Sequence, residues 1–298
     1  MPSVELAGLL DLRFGVTTGQ ARPFADMLED WLYIEELGFE NAWLFDHVAP
    51  DFLPDGPWLE GWTTLAALAA RTSRIRIGTA VTNAALRNPA VLSKQAITVD
   101  QVSGGRLEMA IGAGYYESEH RMLGIDYADT RIRAERLREA VQVVDAGLRG
   151  ERVTLNGQHW KIDRAPMLPG CVQQPRAPLW VAAQVPFSLR TASLHADVLI
   201  TMGDVGDRPV ATLPKLRSRF ARLGEMCVEL GRDPAQLRRA YLVGFSDDRP
   251  YESDEAFTEF VGSYAEVGVT DFMIGLKGAG GRPGLERIAE LRERVANA

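Results

Sequence analysis

The sequence predicts a (β/α)8 TIM barrel, and three observations carry this prediction. Short apolar runs rich in β-branched and aromatic residues alternate with longer helical patterns from end to end. Eight such strand-then-helix units occupy the 298 residues, which fits a closed barrel better than an open doubly wound sheet. The strand runs lack polar alternation, as expected of parallel strands that are covered by helices on their outer face and packed inside.

Each predicted strand is followed by enough chain to form a helix. The predicted strands cover residues 12–16, 42–45, 75–81, 106–112, 179–183, 197–201, 238–245 and 271–275. The predicted helices cover residues 25–37, 62–72, 89–102, 131–150, 188–195, 210–230, 253–267 and 284–295. Gly38, Gly104 and Gly231 follow the first, third and sixth helices, where a left-handed residue ends a helix. Pro89 stands in the first turn of its helix, where proline is tolerated.

An insertion over residues 151–178 separates the fourth and fifth units. Its segment VTLNGQHWKI contains Asn156-Gly157, a dipeptide typical of a two-residue turn, and predicts a β-hairpin. No linker rich in Pro, Gly and Ser divides the chain. We therefore expect a single domain over residues 1–298.

The composition narrows the class of protein. Apolar residues make up 46% and charged residues 24% of the chain, as in ordinary globular proteins. Forty acidic and 33 basic residues give a net charge of −7, the wrong sign for a general nucleic-acid binder. We expect no membrane span, because no apolar stretch approaches 18 residues. The N-terminus lacks a signal-peptide pattern, so Cys171 and Cys227 are expected to be reduced thiols in a cytoplasmic protein.

Polar residues at the carboxyl ends of barrel strands are the candidates for chemistry. Asp46 and His47 end the second strand and are interpreted as a general acid–base couple, with a turn cap and a loop histidine as the alternative. A metal site is not predicted, because His120, His159 and His195 fall in separate segments without ligand spacing.

Small residues after the third and fourth strands predict room for a flat ligand. Residues 78–83 leave space beside a planar ring, although packing against a neighbouring strand explains them equally well. Gly112 and Gly114 let a ligand approach the backbone closely, with a plain turn as the alternative. They do not form a dinucleotide fingerprint, because Glu117 stands at the third glycine position.

Two segments are candidate anion sites. Ala182, Ala183 and Gln184 precede a helix, and exposed amides at a helix N-terminus bind phosphate. The glycine-rich loop over residues 278–282 fits either a second anion site or a mobile loop. Aromatic residues are also dense near the first loops, and those interpreted as walls of an apolar substrate pocket are Phe14, Phe52, Trp58 and Tyr116.

Three blocks of this sequence resemble the bacterial luciferase-like superfamily of flavin and deazaflavin oxidoreductases. The most specific is residues 75–120, which begins IRIGTAVTNAALRNP and ends GAGYYESEH. The others are AWLFDHV at 42–48 and PLWVAAQVPFSLRTASLHADVLIT at 178–201. Within the superfamily, the Asp-His pair and the stretch GAGYYESE are more similar to the coenzyme F420 branch than to the FMN monooxygenases.

The resemblance implies a role for each matching residue. Asp46 would contact the deazaflavin ring region, His47 would donate or accept a proton above it, and a non-prolyl cis peptide would join Ala80 and Val81. The positions implied to line the cofactor are Asp46, Thr79, Ala80, Val81, Asn83, Gly112, Gly114, Ser118, Ala182, Ala183 and Gln184. The last two would offer amides to its phosphate.

One position departs from the resemblance. Tyr115 stands where the F420-dependent sugar-phosphate dehydrogenases have an acidic glutamate, which argues against that activity. Tyr115 is then either a phenolic donor to a carbonyl or a wall of the pocket. The sequence therefore predicts hydride transfer between coenzyme F420 and an unidentified small organic substrate. The alternatives are an FMN-dependent monooxygenase that uses O2 and a cofactor-binding protein without turnover, and the resemblance implies a homodimer.

Overall fold

The structure, a computed structural model, describes residues 12–53 and 55–296. The N-terminal residues that carry the expectation of no signal peptide lie mostly outside this part. In chain order the elements are β1 (Arg13–Thr18), α1 (Phe24–Glu36), β2 (Asn41–Leu44), α2 (Gly61–Ala69), β3 (Arg76–Thr79), β4 (Thr82–Asn83), α3 (Pro89–Ser103), β5 (Leu107–Gly112), α4 (Glu117–Met122), α5 (Thr130–Leu148), β6 (Arg152–Asn156), β7 (Lys161–Pro166), β8 (Leu179–Ala182), α6 (Pro186–His195), β9 (Val198–Thr201), α7 (Pro209–Glu229), a 3-10 turn (Pro234–Gln236), β10 (Arg238–Leu242), α8 (Asp254–Glu266), β11 (Asp271–Gly275) and α9 (Arg282–Ala296).

Eight parallel strands close into a barrel within the described residues. Their hydrogen-bonded order is β1-β2-β3-β5-β8-β9-β10-β11, and the β1–β11 pairing completes the ring. The two-residue strand β4 continues the line of β3 and pairs with β5. Helices surround the barrel, so the predicted (β/α)8 fold is confirmed.

Side chains alternate between the inside of the barrel and the layer under the helices. Trp43, Ala110, Trp180 and Met273 are buried inside the barrel, in a small core of their own. Phe14 belongs to the larger outer core, where its ring lies 5.3 Å from Phe272 and 6.1 Å from Phe257 of α8. The expectation that Phe14 lines the pocket is therefore wrong, because a strand residue with this register faces the helices.

The helix boundaries follow the predicted signals. Gly38, Gly104 and Gly231 all have positive φ angles directly after their helices. The Asn88 side chain accepts a hydrogen bond from the Ala90 amide and caps α3, with Pro89 in the first turn. The short helix α4 was not predicted, because six residues are too few for a periodic pattern. Within the described ranges, no helix is both long and apolar enough to cross a membrane.

The insertion forms the predicted hairpin with a different turn. Strands β6 and β7 pair antiparallel, and Asn156 opposes Lys161, so four residues form the loop instead of two. The carboxylate of Glu139 on α5 accepts hydrogen bonds from the loop amides of Gln158, His159 and Trp160. Side-chain acceptance of three amides stabilises this wider loop, which a dipeptide signal does not reveal.

Paired charges fill the amino-terminal end of the barrel. A cavity of about 340 Å³ at this end is lined by Arg13, Glu108, Trp180, Arg238 and neighbouring residues. Arg238 Nε lies 2.8 Å from Asp271, and the Trp180 indole donates to Glu108 at 2.6 Å. In barrel enzymes this end supports stability, whereas chemistry occurs at the opposite end. We therefore look for the functional site at the carboxyl ends of the strands.

The environment of Asp145, at the amino-terminal end of the barrel, predicts a pH-dependent contribution to stability. Burial opposes ionisation, but a hydrogen bond from His195 and the guanidinium groups of Arg176 and Arg149 lower the pKa of Asp145 to about 2. A carboxyl whose pKa is lower in the folded state stabilises the fold above its unfolded pKa, and this stabilisation is lost as the pH falls. We expect Asp145→Asn to cost about 2 kcal/mol at neutral pH.

Urea unfolding measures this prediction. The difference between the wild type and Asp145→Asn should shrink as the pH falls from about 4 to about 2, since the unfolded carboxyl is then protonated first. Asp163→Asn on the exposed edge of β7 is the control and should leave the midpoint unchanged. A pH-independent difference would contradict the assigned role of Asp145.

Candidate active site

Small side chains form the floor of the barrel mouth at the carboxyl ends of β4, β5 and β8. A Cβ atom at Gly112 would lie 2.8 Å from Val81 Cγ2 and 3.3 Å from Ala182 Cβ, so these three residues converge. Val81, Ala182, Met202 and Phe245 pack on the core inside the barrel and are only partly buried. The floor is therefore apolar and only partly covered by other residues.

The backbone between β3 and β4 has the conformation implied by the resemblance. The peptide bond between Ala80 and Val81 is cis. The Thr79 hydroxyl lies 2.6 Å from the hydroxyl of Thr82, which also accepts from the Trp62 indole of α2. The hydroxyl of Thr79 is thus engaged within the protein, and a contact of this residue with a cofactor stays a prediction.

Asn83 supports the glycine turn after β5 from below. Its Oδ1 accepts from the Ala85 amide at 3.0 Å, and its Nδ2 lies 3.5 Å from Nε2 of the buried His120. Gly114 has φ = 75°, and a Cβ atom there would lie 2.3 Å from Asn83 Oδ1. Only glycine fits this position. The side chain of Asn83 is therefore engaged within the protein, and it holds the turn that the sequence analysis assigned to the ligand.

His47 pairs with Glu119, which the sequence analysis did not single out. His47 Nδ1 lies 3.0 Å from Glu119 Oε2. The other carboxylate oxygen, Oε1, accepts from the amides of Val48 at 2.7 Å and Ala49 at 3.1 Å. Glu119 is fully buried on α4, whereas the His47 side chain is 16% exposed.

The environment of Glu119 determines the state of His47. Burial opposes ionisation, but hydrogen bonds from His47 and the two loop amides lower the pKa of Glu119 below its usual range. An ionised carboxylate only accepts hydrogen bonds, so Nδ1 of His47 carries a proton. The imidazole Nε2 is then the atom that accepts a proton when the ring is neutral and donates one when it is charged.

Asp46 does not pair with His47, so the predicted acid–base couple is wrong. Its carboxylate receives both terminal nitrogens of Arg87, at 2.5 Å and 2.9 Å, and the Asn83 amide at 3.3 Å. Arg87 also lies 3.4 Å from Glu60, the N-cap of α2. Burial raises the pKa of Asp46 while the Arg87 guanidinium opposes this rise. Asp46 is 1% exposed and acts as a structural anchor below the mouth.

Aromatic rings surround His47. The Tyr116 ring centroid lies 5.0 Å from that of His47, and the Tyr115 ring lies 4.1 Å from that of Tyr116. On the other side, Phe52 lies 6.4 Å from His47 and 5.6 Å from Trp58. Burial raises the pKa of Tyr115, and the hydrogen bond with Tyr116 raises it further. Its phenol therefore stays protonated. Three of the four predicted pocket aromatics, Phe52, Trp58 and Tyr116, thus gather with Tyr115 at His47.

The start of α6 is the candidate phosphate site. No side chain caps this helix, and Pro186 occupies its first turn. Ala183 does not offer its amide, because that group donates to the Ile200 carbonyl at 3.0 Å. Its assignment as an amide donor is wrong, and Gln184 is the remaining candidate. The loop over 278–282 is folded on itself, with the amides of Ala279, Gly280 and Gly281 donated to residues 275–277.

These residues fit a planar cofactor that carries a phosphate. The floor at Val81, Gly112 and Ala182 takes a ring, and α6 presents an uncapped N-terminus. Ser118 Oγ is buried without a hydrogen-bond partner among the described residues, so a polar ligand atom would satisfy it. No group of three His, Cys, Asp or Glu side chains suited to a metal ion occurs in the described part of the chain.

Two residues of the site were not predicted, Glu119 and Arg87. Glu119 lies 72 residues from His47, and Arg87 lies 41 residues from Asp46. Nothing local distinguishes Glu119 from the exposed Glu117 two positions earlier. Recognition of α4 would have helped, because one face of that helix carries Glu119 toward the barrel.

Comparison with known proteins gives consistent matches over the whole fold. A family profile described as luciferase-like monooxygenase matches residues 5–291. The chain is 29% identical over 239 residues to 4-hydroxyprotoasukamycin monooxygenase of Streptomyces nodosus subsp. asukaensis, covering 76% of this chain and 60% of that protein. It is 33% identical to the F420-dependent glucose-6-phosphate dehydrogenase of Kineococcus radiotolerans, covering 68% of this chain and 63% of that protein. The matches thus span less than two thirds of these relatives' own length.

A solved structure shares the fold. An F420-dependent secondary alcohol dehydrogenase in complex with an F420-acetone adduct superposes with a TM-score of 0.80. The superposition covers 96% of this chain and 99% of that one at 19% sequence identity. This likeness concerns the barrel and its connections.

Proposed function

Because the chain belongs to the luciferase-like monooxygenase family, we propose that it is an oxidoreductase that transfers a hydride between coenzyme F420 and a small organic substrate. The observation that carries this proposal is the His47–Glu119 pair beside the apolar floor of the barrel mouth. Reduction of a carbonyl, or oxidation of an alcohol, requires a group that gives or takes a proton near neutral pH, and histidine does this.

Different residues of the mouth would hold different parts of the cofactor. Val81, Gly112 and Ala182 would support the ring, Ser118 would bond a polar atom, and the start of α6 would take the phosphate. When bound, the deazaflavin supplies or accepts the hydride. Asp46 and Arg87 keep the end of β2 and the Asn83 backbone in place below these contacts.

His47 would exchange a proton with the substrate through its Nε2 atom. Glu119 holds the ring by Nδ1, so the histidine is oriented before a substrate arrives. The rings of Phe52 and Tyr116 lie 6.4 and 5.0 Å from the imidazole and place apolar surface next to it. A proton moves between this atom and the substrate oxygen as the carbonyl and alcohol forms interconvert.

Cofactor titration tests the proposal. We expect oxidised F420 to quench the intrinsic tryptophan fluorescence at micromolar concentration and FMN to bind more weakly. The family also contains FMN-dependent monooxygenases, so tighter FMN binding with O2 consumption by reduced FMN would replace the proposal with that function. Ring binding without any substrate-dependent change in the cofactor spectrum would indicate a binding protein.

Glu119→Gln separates positioning from proton transfer. The amide oxygen still accepts from Nδ1, but the negative charge is lost and the amide nitrogen faces the Val48 and Ala49 N–H groups, so we expect turnover to fall roughly tenfold. We expect the loss in kcat, because the imidazole loses the carboxylate that orients it. Steady-state rates at neutral pH measure kcat and KM separately. Unchanged turnover would remove Glu119 from the mechanism.

A further inference from the structure

Five rings form a continuous strip at the mouth of the barrel. We call Trp58, Phe52, His47, Tyr116 and Tyr115 the aromatic strip. Successive ring centroids are separated by 5.6, 6.4, 5.0 and 4.1 Å in that order. The strip therefore places the ring surfaces of Phe52 and Tyr116 next to the imidazole that handles the proton in the proposed function.

The strip is open to solvent at two of its members. Phe52 is 60% exposed and Tyr115 is 47% exposed. A contiguous apolar surface of this kind is unfavourable in water and marks a place where an apolar partner binds. Because the strip includes His47, this apolar partner is the substrate of the site and not a ligand of some distant surface.

The charges around the strip disfavour anions. Burial is the main cause that raises the pKa of Tyr115, and the negative charges of Asp51 and Glu119 add to this rise, so they act on the strip. The Arg87 guanidinium is 14% exposed and is held by Asp46 in a bidentate pair, and the Arg133 guanidinium lies over the Tyr127 ring at 4.3 Å. In the described residues, the cation–ring contacts involve other rings, those of Tyr33, Phe39, Tyr127, Phe187 and Phe220.

A hydrogen-bond donor at one end favours a ligand with an acceptor. Trp58 Nε1 is buried and has no hydrogen-bond partner within the described residues. An indole N–H only donates, so an oxygen atom satisfies it, whereas an ammonium group does not. The aromatic surface alone would also suit a cation, and this unpaired donor argues for an uncharged ligand with an oxygen acceptor.

We propose that the aromatic strip binds the ring portion of an uncharged aromatic or alicyclic ketone, or of the matching secondary alcohol. The reacting oxygen then faces His47, and this part of the proposal rests on the proposed function. Asp51 and Glu119 disfavour a phosphate or carboxylate on the ring portion of the substrate, and the imidazole of the strip is already paired with Glu119.

A matched pair of ligands tests the charge preference. Acetonaphthone is an uncharged aryl ketone, and acetylnaphthoate is the same ketone with a carboxylate on the far ring. We expect acetonaphthone to bind at least about tenfold more tightly by isothermal titration calorimetry, because the carboxylate meets like charge and loses hydration. Equal or tighter binding of acetylnaphthoate would overturn the proposal.

A matched pair of variants tests the place of binding. Phe52→Ala should weaken acetonaphthone binding by about fivefold through loss of ring contact. Val228→Ala is the control, because Val228 is 67% exposed near the end of α7, where the chain has returned to the amino-terminal end of the barrel. Its dissociation constant should stay within about twofold of the wild type. An equal loss in both variants, or no loss in Phe52→Ala, would refute the strip as the binding surface.

Each titration is performed with and without saturating F420, which separates the two proposals. If F420 fails to bind but the ketone preference and the Phe52 effect are found, the cofactor assignment is wrong and the strip assignment stands. If F420 binds at micromolar concentration and the ketone does not bind either form, the strip assignment is wrong and the cofactor proposal stands.

Discussion

His47→Ala is expected to slow turnover by roughly 10²–10⁴-fold, the usual contribution of a positioned general acid or base. The imidazole is held at Nδ1 by the buried Glu119, so the ring is fixed before a substrate binds and Nε2 is the nitrogen left for proton exchange. No other histidine replaces it, since His120 is fully buried and bonded to the Tyr116 carbonyl. Steady-state kinetics with reduced F420 and a ketone measure the change.

The affinity for F420 is the internal control of this experiment. The floor at Val81, Gly112 and Ala182 and the start of α6 do not depend on the imidazole, so the dissociation constant should change by less than about threefold. His159→Ala, in the hairpin loop beside Glu135, controls for loss of a histidine as such. A His47→Ala enzyme with wild-type turnover would eliminate the proton role and leave His47 as part of the aromatic strip only.

The sequence predicts the barrel well because local patterns determine its parts. Burial on both faces makes each strand a continuous apolar run, and glycines with positive φ mark helix ends at Gly38, Gly104 and Gly231. The same reasoning fails where a distant side chain decides the local shape. Glu139 on α5 fixes the hairpin loop after Asn156, and the preference of an Asn-Gly dipeptide for a tight turn does not prevail.

The candidate site likewise has features that the sequence predicts and features that it does not. Position in the barrel predicts that His47 and Gly112 belong to the site, because functional residues gather at the carboxyl ends of parallel strands. The hydrogen-bond partners of the site residues, by contrast, are not determined by local sequence. Asp46 and His47 are adjacent in sequence, yet their side chains diverge and pair with Arg87 and Glu119 respectively. Both residues follow the end of β2 at Leu44, and no spacing rule identifies partners 41 and 72 residues away.

Asp46→Asn is expected to lower the free energy of unfolding by about 3–5 kcal/mol, as found when one partner of a buried ion pair is removed. The carboxylate is 1% exposed and receives two nitrogens of Arg87, and the guanidinium side chain is 14% exposed. Loss of the negative charge leaves Arg87 with Glu60 alone, at 3.4 Å. Urea unfolding at neutral pH measures the cost.

A double-mutant cycle distinguishes the pair from the packing around it. Arg87→Met alone leaves Asp46 as an uncompensated buried carboxylate, so it should also be strongly destabilised. The double variant Asp46→Asn/Arg87→Met removes both charges, and we expect it to be clearly more stable than the sum of the single costs predicts. Additive costs would show that the two side chains act independently. The observed bidentate pair would then not be the feature that anchors the end of β2 beneath His47, and the orientation of the imidazole would rest on Glu119 alone.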